Sequence, residues 1–377
     1  MGKGGGTPPA CRSLRKESAV PEDVASVAND PFIITWVRKT DNFHSAPFAP
    51  SLAMPLDEPL FFQPVFRRYL WGGRSLGSRL SKPIGPGDDW AESWEVVDHG
   101  ADQSVVADGA QAGRSLHDLI TKEGTALLGR HFPQRQFPLL FKYLDANLPL
   151  SLQVHPNDAY AQRMTPPDLG KTEAWYVVHA EPGSVLYAGL KPDFDRKALA
   201  REVAQGRTEH CLHVIEPQPG DCIFIPAGVP HALGAGLVIA EIQQASVTTF
   251  RLFDWNRVGA DGQPRALHIE QGLEVIDYAF GPVSAQQPQS TPRPHVQRLV
   301  ECDKFVLDRW SNSSDSQPLG GDDRFHIVSV VAGQARLVST RGATRLALGQ
   351  TVLLPAAAGA IQVQAEQGST LLDMYLP

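Results

Sequence analysis

The chain has 377 residues, 42% of them hydrophobic and 20% charged, a balance that excludes a wholly disordered protein and a length that can bury a sizeable core. A formal net charge of −7 argues against nucleic acid or an anionic membrane as the main partner, and no apolar run approaches the roughly 18 residues of a membrane span. Cys11, Cys211, Cys222 and Cys302 are scattered and form no C-x-x-C, which excludes a small disulfide scaffold and a cysteine-only zinc finger.

Residues 1–55 open on a Gly-rich stretch and show mixed charge with no periodic apolar pattern, and they lack the apolar core of a secretory signal. A disordered extension is expected there, with Met54 as a candidate start. A strand-like run follows at 60–65. Further runs rich in β-branched and aromatic residues predict strands at 94–97, 139–144, 174–178 and 223–225. Ser115, with Asp118 three residues on, reads as the N-cap of a helix. Residues 195–204 read as a second helix stopped by Gly206. A third is expected over 268–279, with Ile269, Leu273, Ile276 and Phe280 on one face. The Ser/Gln/Pro-rich stretch 282–296 reads as a linker to a second β-rich domain at 297–377. An echo connects the two halves: GDCIFIPA at 220–227 is matched by GQTVLLPA at 349–356, a turn, a short buried strand and a stopping proline in each. Two related β-barrels are expected.

The strongest chemical signal is Gly220-x5-Pro226-x-Gly228-x2-His231. The glycine turns the chain, 223–225 forms a wall strand, and the break after it delivers His231 to the interior. This resembles the second motif of the cupin superfamily, double-stranded β-helix barrels that hold a metal inside. Gln153 and His155 share one strand face at i and i+2, as do Lys171 and Glu173. Taken singly, His231 reads more readily as a core or surface histidine, and Gln153 or Glu173 as strand-edge hydrogen bonding. As a set, two histidines, a carboxylate and an amide oxygen suit Zn²⁺, with Fe²⁺ or Mn²⁺ as other fits. Arg251 lies in the apolar run TTFRLFDW, so its guanidinium needs an anion, either a core carboxylate or a bound phosphate. With Lys171 also inward, two cations stand near the metal ligands, which suits an anionic substrate.

Gln-x-His-Pro at 153–156, Gly-Lys-Thr-Glu-Ala-Trp-Tyr at 170–176, Pro-x-Gly-x-x-His-Ala-Leu-Gly at 226–234 and the Arg251 segment, in this order, resemble type I mannose-6-phosphate isomerase (phosphomannose isomerase). So do Tyr69-Leu70-Trp71-Gly72-Gly73 and Glu92-Ser93-Trp94-Glu95 upstream. The similarity covers about 58–280. The short interval from Glu173 to His231 is that of the compact bacterial form. The resemblance implies an all-β fold of two cupin-like double-stranded β-helix (jelly-roll) barrels with a few peripheral helices, the first of them, 56–281, being catalytic. It implies Gln153, His155, Glu173 and His231 as ligands of one zinc per chain, and Lys171 and Arg251 as active-site cations. The reaction implied is proton transfer through an enediolate between mannose 6-phosphate and fructose 6-phosphate, in the cytoplasm. A desolvated Lys171 is the expected base, holding the substrate being its other role. One departure stands out: the family commonly reads Asn-Ser-Asp where this chain has Ala245-Ser246-Val247, and valine cannot carry a proton. An Fe²⁺ dioxygenase of cupin type and a non-catalytic sugar-phosphate binder are the rival readings. In the second barrel Ala360 stands at the position corresponding to His231, so no second metal is expected.

Overall fold

The computed structural model describes residues 55–259, 262–311 and 316–377. The expected extension at 1–55, Pro55 apart, and the candidate start at Met54 lie outside them.

The first barrel is made of two antiparallel sheets. One has six strands in the order Cys222–Ile225, Glu173–Ala180, Leu237–Gln244, Leu139–Ala146, Trp90–Val96 and Val65–Gly73. The other has five, in the order Leu212–Ile215, Leu186–Leu190, His231–Leu233, Leu152–Val154 and Phe250–Phe253. Leu237–Gln244 is buried along its whole length, which explains its near-continuous apolar sequence. Its alternate residues serve two cores. Leu237 and Ile239 pack inside the barrel with Trp175, Val177 and Ile223. Val238, Ala240 and Ile242 face outward, onto a core shared with the helix Leu116–Leu128 and with Phe305, Leu353 and Met374 of the second barrel. The five-stranded sheet is covered by the helices Arg196–Ala204 and Ile269–Val275.

The second barrel repeats the first. Gln289–Ser290, Val296–Glu301, Val306–Ser311, Thr370–Tyr375, His326–Ala332 and Thr351–Leu354 follow one another as the six strands of the first sheet do, read from the other edge. Gln317–Gly320, Ala360–Ala365, Ala335–Ser339 and Gly342–Leu346 match four strands of the five-stranded sheet. The echoed segments take equivalent places. Gly220 (φ +96°) and Gly349 (φ +75°) each turn the chain with positive φ into the strands Cys222–Ile225 and Thr351–Leu354. The fold is thus all-β with two cupin-like barrels.

Two pairings join distant parts of the chain. The first strand, Leu60–Gln63, lies against Thr351–Leu354 of the second barrel, with Leu60 opposite Leu353. The stretch 282–296 runs along the first barrel, where Val283 N–H donates to Ala188 O and Gln286 N–H to Cys222 O, before Gln289–Ser290 joins the second.

Ser115 caps its helix through a hydrogen bond from Asp118 N–H, and Asp195 caps the next through Ala198 N–H. The third helix is shorter than the periodicity predicts. It ends at Val275 because Ile276 is extended and Asp277 N–H donates to Gly228 O instead of continuing the helical ladder, and Phe280 is left exposed. No helix of the described residues is long and apolar enough to cross a membrane.

Candidate active site

The ladders decide which side chains meet. On the five-stranded sheet, Gln153 is opposite His231 on one side and Arg251 on the other. His155 follows one residue after the short strand Leu152–Val154. Glu173 opens the strand Glu173–Ala180 of the facing sheet, opposite Ile225 and Gln243. Closing the two sheets on one another brings Glu173 within reach of His155 and His231.

His155, Glu173 and His231 are buried, and one donor atom from each lies within 4.8 Å of the others. His231 Nε2 is 3.3 Å from Glu173 Oε1, and His155 Nε2 is 3.6 Å from Glu173 Oε2. Both imidazoles are oriented from behind: His155 Nδ1–H donates to Thr248 O at 2.9 Å and His231 Nδ1–H to Val229 O at 2.8 Å. Each therefore turns an Nε2 lone pair toward the carboxylate, the tautomer a metal needs. Burial, with Lys171 and the other imidazole nearby, holds His155 well below its ordinary range. Burial likewise pushes His231 down to about 4. Neutral imidazoles are the ligating form. Burial and the neighbouring Glu241 charge push the Glu173 carboxyl up to about 7, and its Oε1 is buried without a hydrogen-bond donor. An anion so placed calls for more positive charge than the protein supplies. The donor set already holds one cation, since the Lys171 ammonium contacts Glu173 and lies 3.2 Å from His155 Nε2. Two neutral nitrogens and an under-compensated carboxylate thus fit a divalent metal. Gln153 borders the cluster with its carboxamide nitrogen 3.4 Å from His231 Nε2, and a half-turn about its last bond would present the oxygen.

In front of the cluster lies a cleft of about 480 Å³ lined in part by Gln153, Lys171 and Arg251. Arg251 is half-buried and forms no ion pair among the described residues, because the nearby Asp254 is occupied by Arg257 and Arg265. Its Nε is buried without an acceptor, which favours a bound anion over a structural salt bridge. Burial, reinforced by the Arg265 charge, lowers its pKa.

Two charged residues lining the cleft escaped sequence reasoning. Lys142 and Glu241 stand opposite each other on adjacent strands, with Lys142 Nζ 3.2 Å from Glu241 Oε1, and both line the cleft. Trp175 Nε1–H donates to Glu241 at 2.9 Å, and Lys171 Nζ lies 3.6 Å from it. Burial works against the charge on Lys142, but Glu241, Glu92 and Glu173 outweigh it and raise its pKa. Burial would raise Glu241, yet the two lysines hold it down. The available signal was a single charge inside each of two apolar runs, LLFKYL and LVIAEI. Val247 lines the cleft and offers it no proton.

The geometry agrees with what the chain is similar to. Residues 60–185 match the family described as phosphomannose isomerase type I, catalytic domain, and residues 295–371 match the cupin domain of mannose-6-phosphate isomerase. Mannose-6-phosphate isomerase ManA of Bacillus subtilis is 34% identical over 312 residues, covering 81% of this chain and 96% of its own. The crystal structure of a mannose 6-phosphate isomerase from Bacillus subtilis superposes with a TM-score of 0.78 at 28% identity, covering 84% of this chain and 99% of that one. A mannose 6-phosphate isomerase bound with zinc and yttrium, 17% identical, shares the fold with a TM-score of 0.67, again over 84% of this chain and 99% of that one. Motifs, barrels and donor cluster lead to one conclusion: the chain belongs to the type I mannose-6-phosphate isomerase family.

Proposed function

We propose that the chain interconverts mannose 6-phosphate and fructose 6-phosphate, with Gln153, His155, Glu173 and His231 holding one divalent cation. Zinc is the ion favoured by the mixed nitrogen and oxygen donors, and a family member of the same fold binds it. The observation that carries the reading is the buried His155–Glu173–His231 cluster directly behind a cleft that presents an unpaired arginine. When bound, the cation supplies fixed positive charge beside oxygens that become negative in the transition state.

The residues supply the rest. Moving a proton between C1 and C2 needs a base within hydrogen-bond reach of that carbon. Lys171 lines the cleft at the edge of the cluster and, as the neutral amine, is the candidate. Glu241, fixed by Trp175 and Lys142, orients the lysine through its 3.6 Å contact. Arg251 faces the cleft with hydrogen-bonding capacity to spare and serves the phosphate or the developing oxyanion. Lysine and arginine in such places serve an anionic sugar substrate and have no task in dioxygenase chemistry. Catalysis belongs, in this reading, to 56–281, with 282–296 leading into the metal-free barrel of 297–377. A phosphorylated sugar cannot diffuse across a membrane, so the reading places the enzyme in the cytoplasm.

The test is a coupled assay on mannose 6-phosphate with and without chelator, together with metal analysis. Turnover that chelator abolishes and one added metal ion per chain restores is the expected result. Sugar phosphate binding without turnover, or turnover indifferent to chelator in a metal-free protein, would remove the proposal.

A further inference from the structure

The two histidines of the cluster are oriented by backbone carbonyls of very different security. His231 donates to Val229, two residues away within its own turn. His155 donates to Thr248, 93 residues away, on the irregular segment between the strands Leu237–Gln244 and Phe250–Phe253. Beyond Ala245, whose N–H donates to Pro138 O at 2.9 Å, that segment has no ladder to hold it and is fixed by side chains.

Asp168 does most of the fixing. Its Oδ2 accepts hydrogen bonds from Ser246 Oγ at 2.8 Å and from Thr248 Oγ1 at 2.6 Å, so one oxygen staples both sides of Val247. Its Oδ1 accepts from Leu169 N–H at 2.8 Å and lies 3.2 Å from His99 Nε2. Burial would raise this carboxyl, but the bonds from His99, Thr248 and Ser246 outweigh it and hold the group well below the usual range. The staples are therefore charge-assisted, the stronger kind of hydrogen bond. Gln243 adds one more, from Nε2 to Ser246 O at 2.6 Å.

We propose that Asp168 is a positioning residue for the metal ligand His155, acting through Ser246 and Thr248 to hold the Thr248 carbonyl against His155 Nδ1–H. The inference rests on the reading of His155 as a ligand. Loss of the carbonyl frees the ring to rotate and to change tautomer, and removing such outer partners of a ligating histidine costs about 10–100-fold in metal affinity. Because Ser246, Val247 and Thr249 also line the cleft, the same carboxylate shapes the wall facing the substrate.

The experiment measures zinc affinity of the full chain by competition with a chromophoric chelator, and the ¹⁵N resonances of the histidine rings in zinc-free protein. The variants are Asp168→Ala, the double variant Ser246→Ala with Thr248→Val, and His99→Gln. Asp168→Ala and the double variant should each weaken zinc by about 10–100-fold and shift His155 toward mixed tautomers while His231 keeps its own. His99→Gln, which touches only the outer oxygen, should leave both near wild type. Unchanged zinc affinity and unchanged His155 resonances, with only a lower melting temperature, would overturn the proposal, as would His99→Gln matching the other two. Should Asp168→Ala fail to fold, the double variant decides alone, since it keeps the carboxylate. Wild-type protein that binds no zinc would instead sink the ligand reading, and this inference with it.

Discussion

His326 offers a prediction that depends on the second barrel alone. It is buried at the start of the strand His326–Ala332, with Nδ1 2.8 Å from Asp373 Oδ1 and Nε2 3.2 Å from Asp322 Oδ1. The Tyr375 ring lies against it, centroids 4.8 Å apart. Burial opposes the imidazolium, but Asp373 and Asp322 outweigh that and push its pKa up from 6.5 to about 9. A folded-state value above the unfolded one means stability that is complete below pH 6.5 and is lost as pH rises through about 9. The difference corresponds to about 3 kcal/mol. Urea unfolding of wild type and His326→Gln at about pH 6 and about pH 10 isolates this group, because the other groups that titrate in that window are common to both proteins. The stability gap between them should be larger by about 3 kcal/mol at the lower pH. Burial would raise the Asp322 carboxyl, but His326 outweighs it and depresses it, so that group acts in the acid range, outside this window. A gap that does not change with pH would refute the ion-pair reading of the cluster.

Lys171→Met removes an ammonium that contacts both His155 and Glu173, so metal content should hold or rise while turnover falls by about 10²–10⁴-fold. Exchange of the substrate C2 proton with deuterated solvent should fall in parallel, whereas normal exchange with a raised KM would assign the lysine to binding. His231→Ala, by contrast, should lose metal and activity together. Gly349→Ala would place a Cβ 1.9 Å from Leu80 O at φ +75°. It should lower the melting temperature well beyond Gly368→Ala, where φ is +79° but nothing lies within 4 Å. Equal losses would show that the close approach of Leu80 is immaterial.

Much of the candidate site is visible in the sequence because its candidate ligands sit beside strong backbone punctuation. Pro156 ends the strand before His155, and Pro226 with Gly228 breaks the wall before His231, so each histidine is marked by the turn that delivers it. Lys171 and Glu173 follow from the two-residue period of a strand. Lys142 and Glu241 carry no such mark. Each is one charge in an apolar run, and only the register that sets them face to face shows that they compensate one another. The same limit hid the pairing of Leu60–Gln63 with a strand nearly 300 residues away. Local patterns announce a strand, but its neighbour is chosen by packing between distant segments. The third helix is shorter than its apolar period for a related reason. Its apolar period runs on past Val275, where a long-range hydrogen bond from Asp277 N–H to Gly228 O takes the backbone away.

The register also shows how the candidate metal cluster of the first barrel differs from the corresponding positions of the second. In the first, a single rung runs Trp94, Lys142, Glu241, Trp175 across four strands. The equivalent rung of the second runs Arg298, Asp308, Asp373, Val328. Glu173, opposite Ile225, corresponds to His326, opposite Leu354. Acid and base have exchanged places: lysine for aspartate at one position, glutamate for histidine at the other. Gln153 and His231 are replaced by Gly320 and Ala360. Buried charge is costly unless paired, and in the second barrel each buried acid of this rung meets a cation, although Asp373 Oδ2, like Glu173 Oε1, is buried without a hydrogen-bond donor. Arg298 and Arg293 meet Asp308, and His326 meets Asp373. The first barrel leaves a remainder. Lys142 and Lys171 are shared among Glu92, Glu173 and Glu241, and the Glu173 carboxyl, pushed up by burial and by Glu241, still keeps one oxygen without a partner. The two neutral imidazoles beside it add donor atoms and no charge. In the proposed reading a cation held by His155, Glu173 and His231 would meet the unpartnered Glu173 oxygen of the first barrel, while in the second the His326 imidazolium stands at the position equivalent to Glu173.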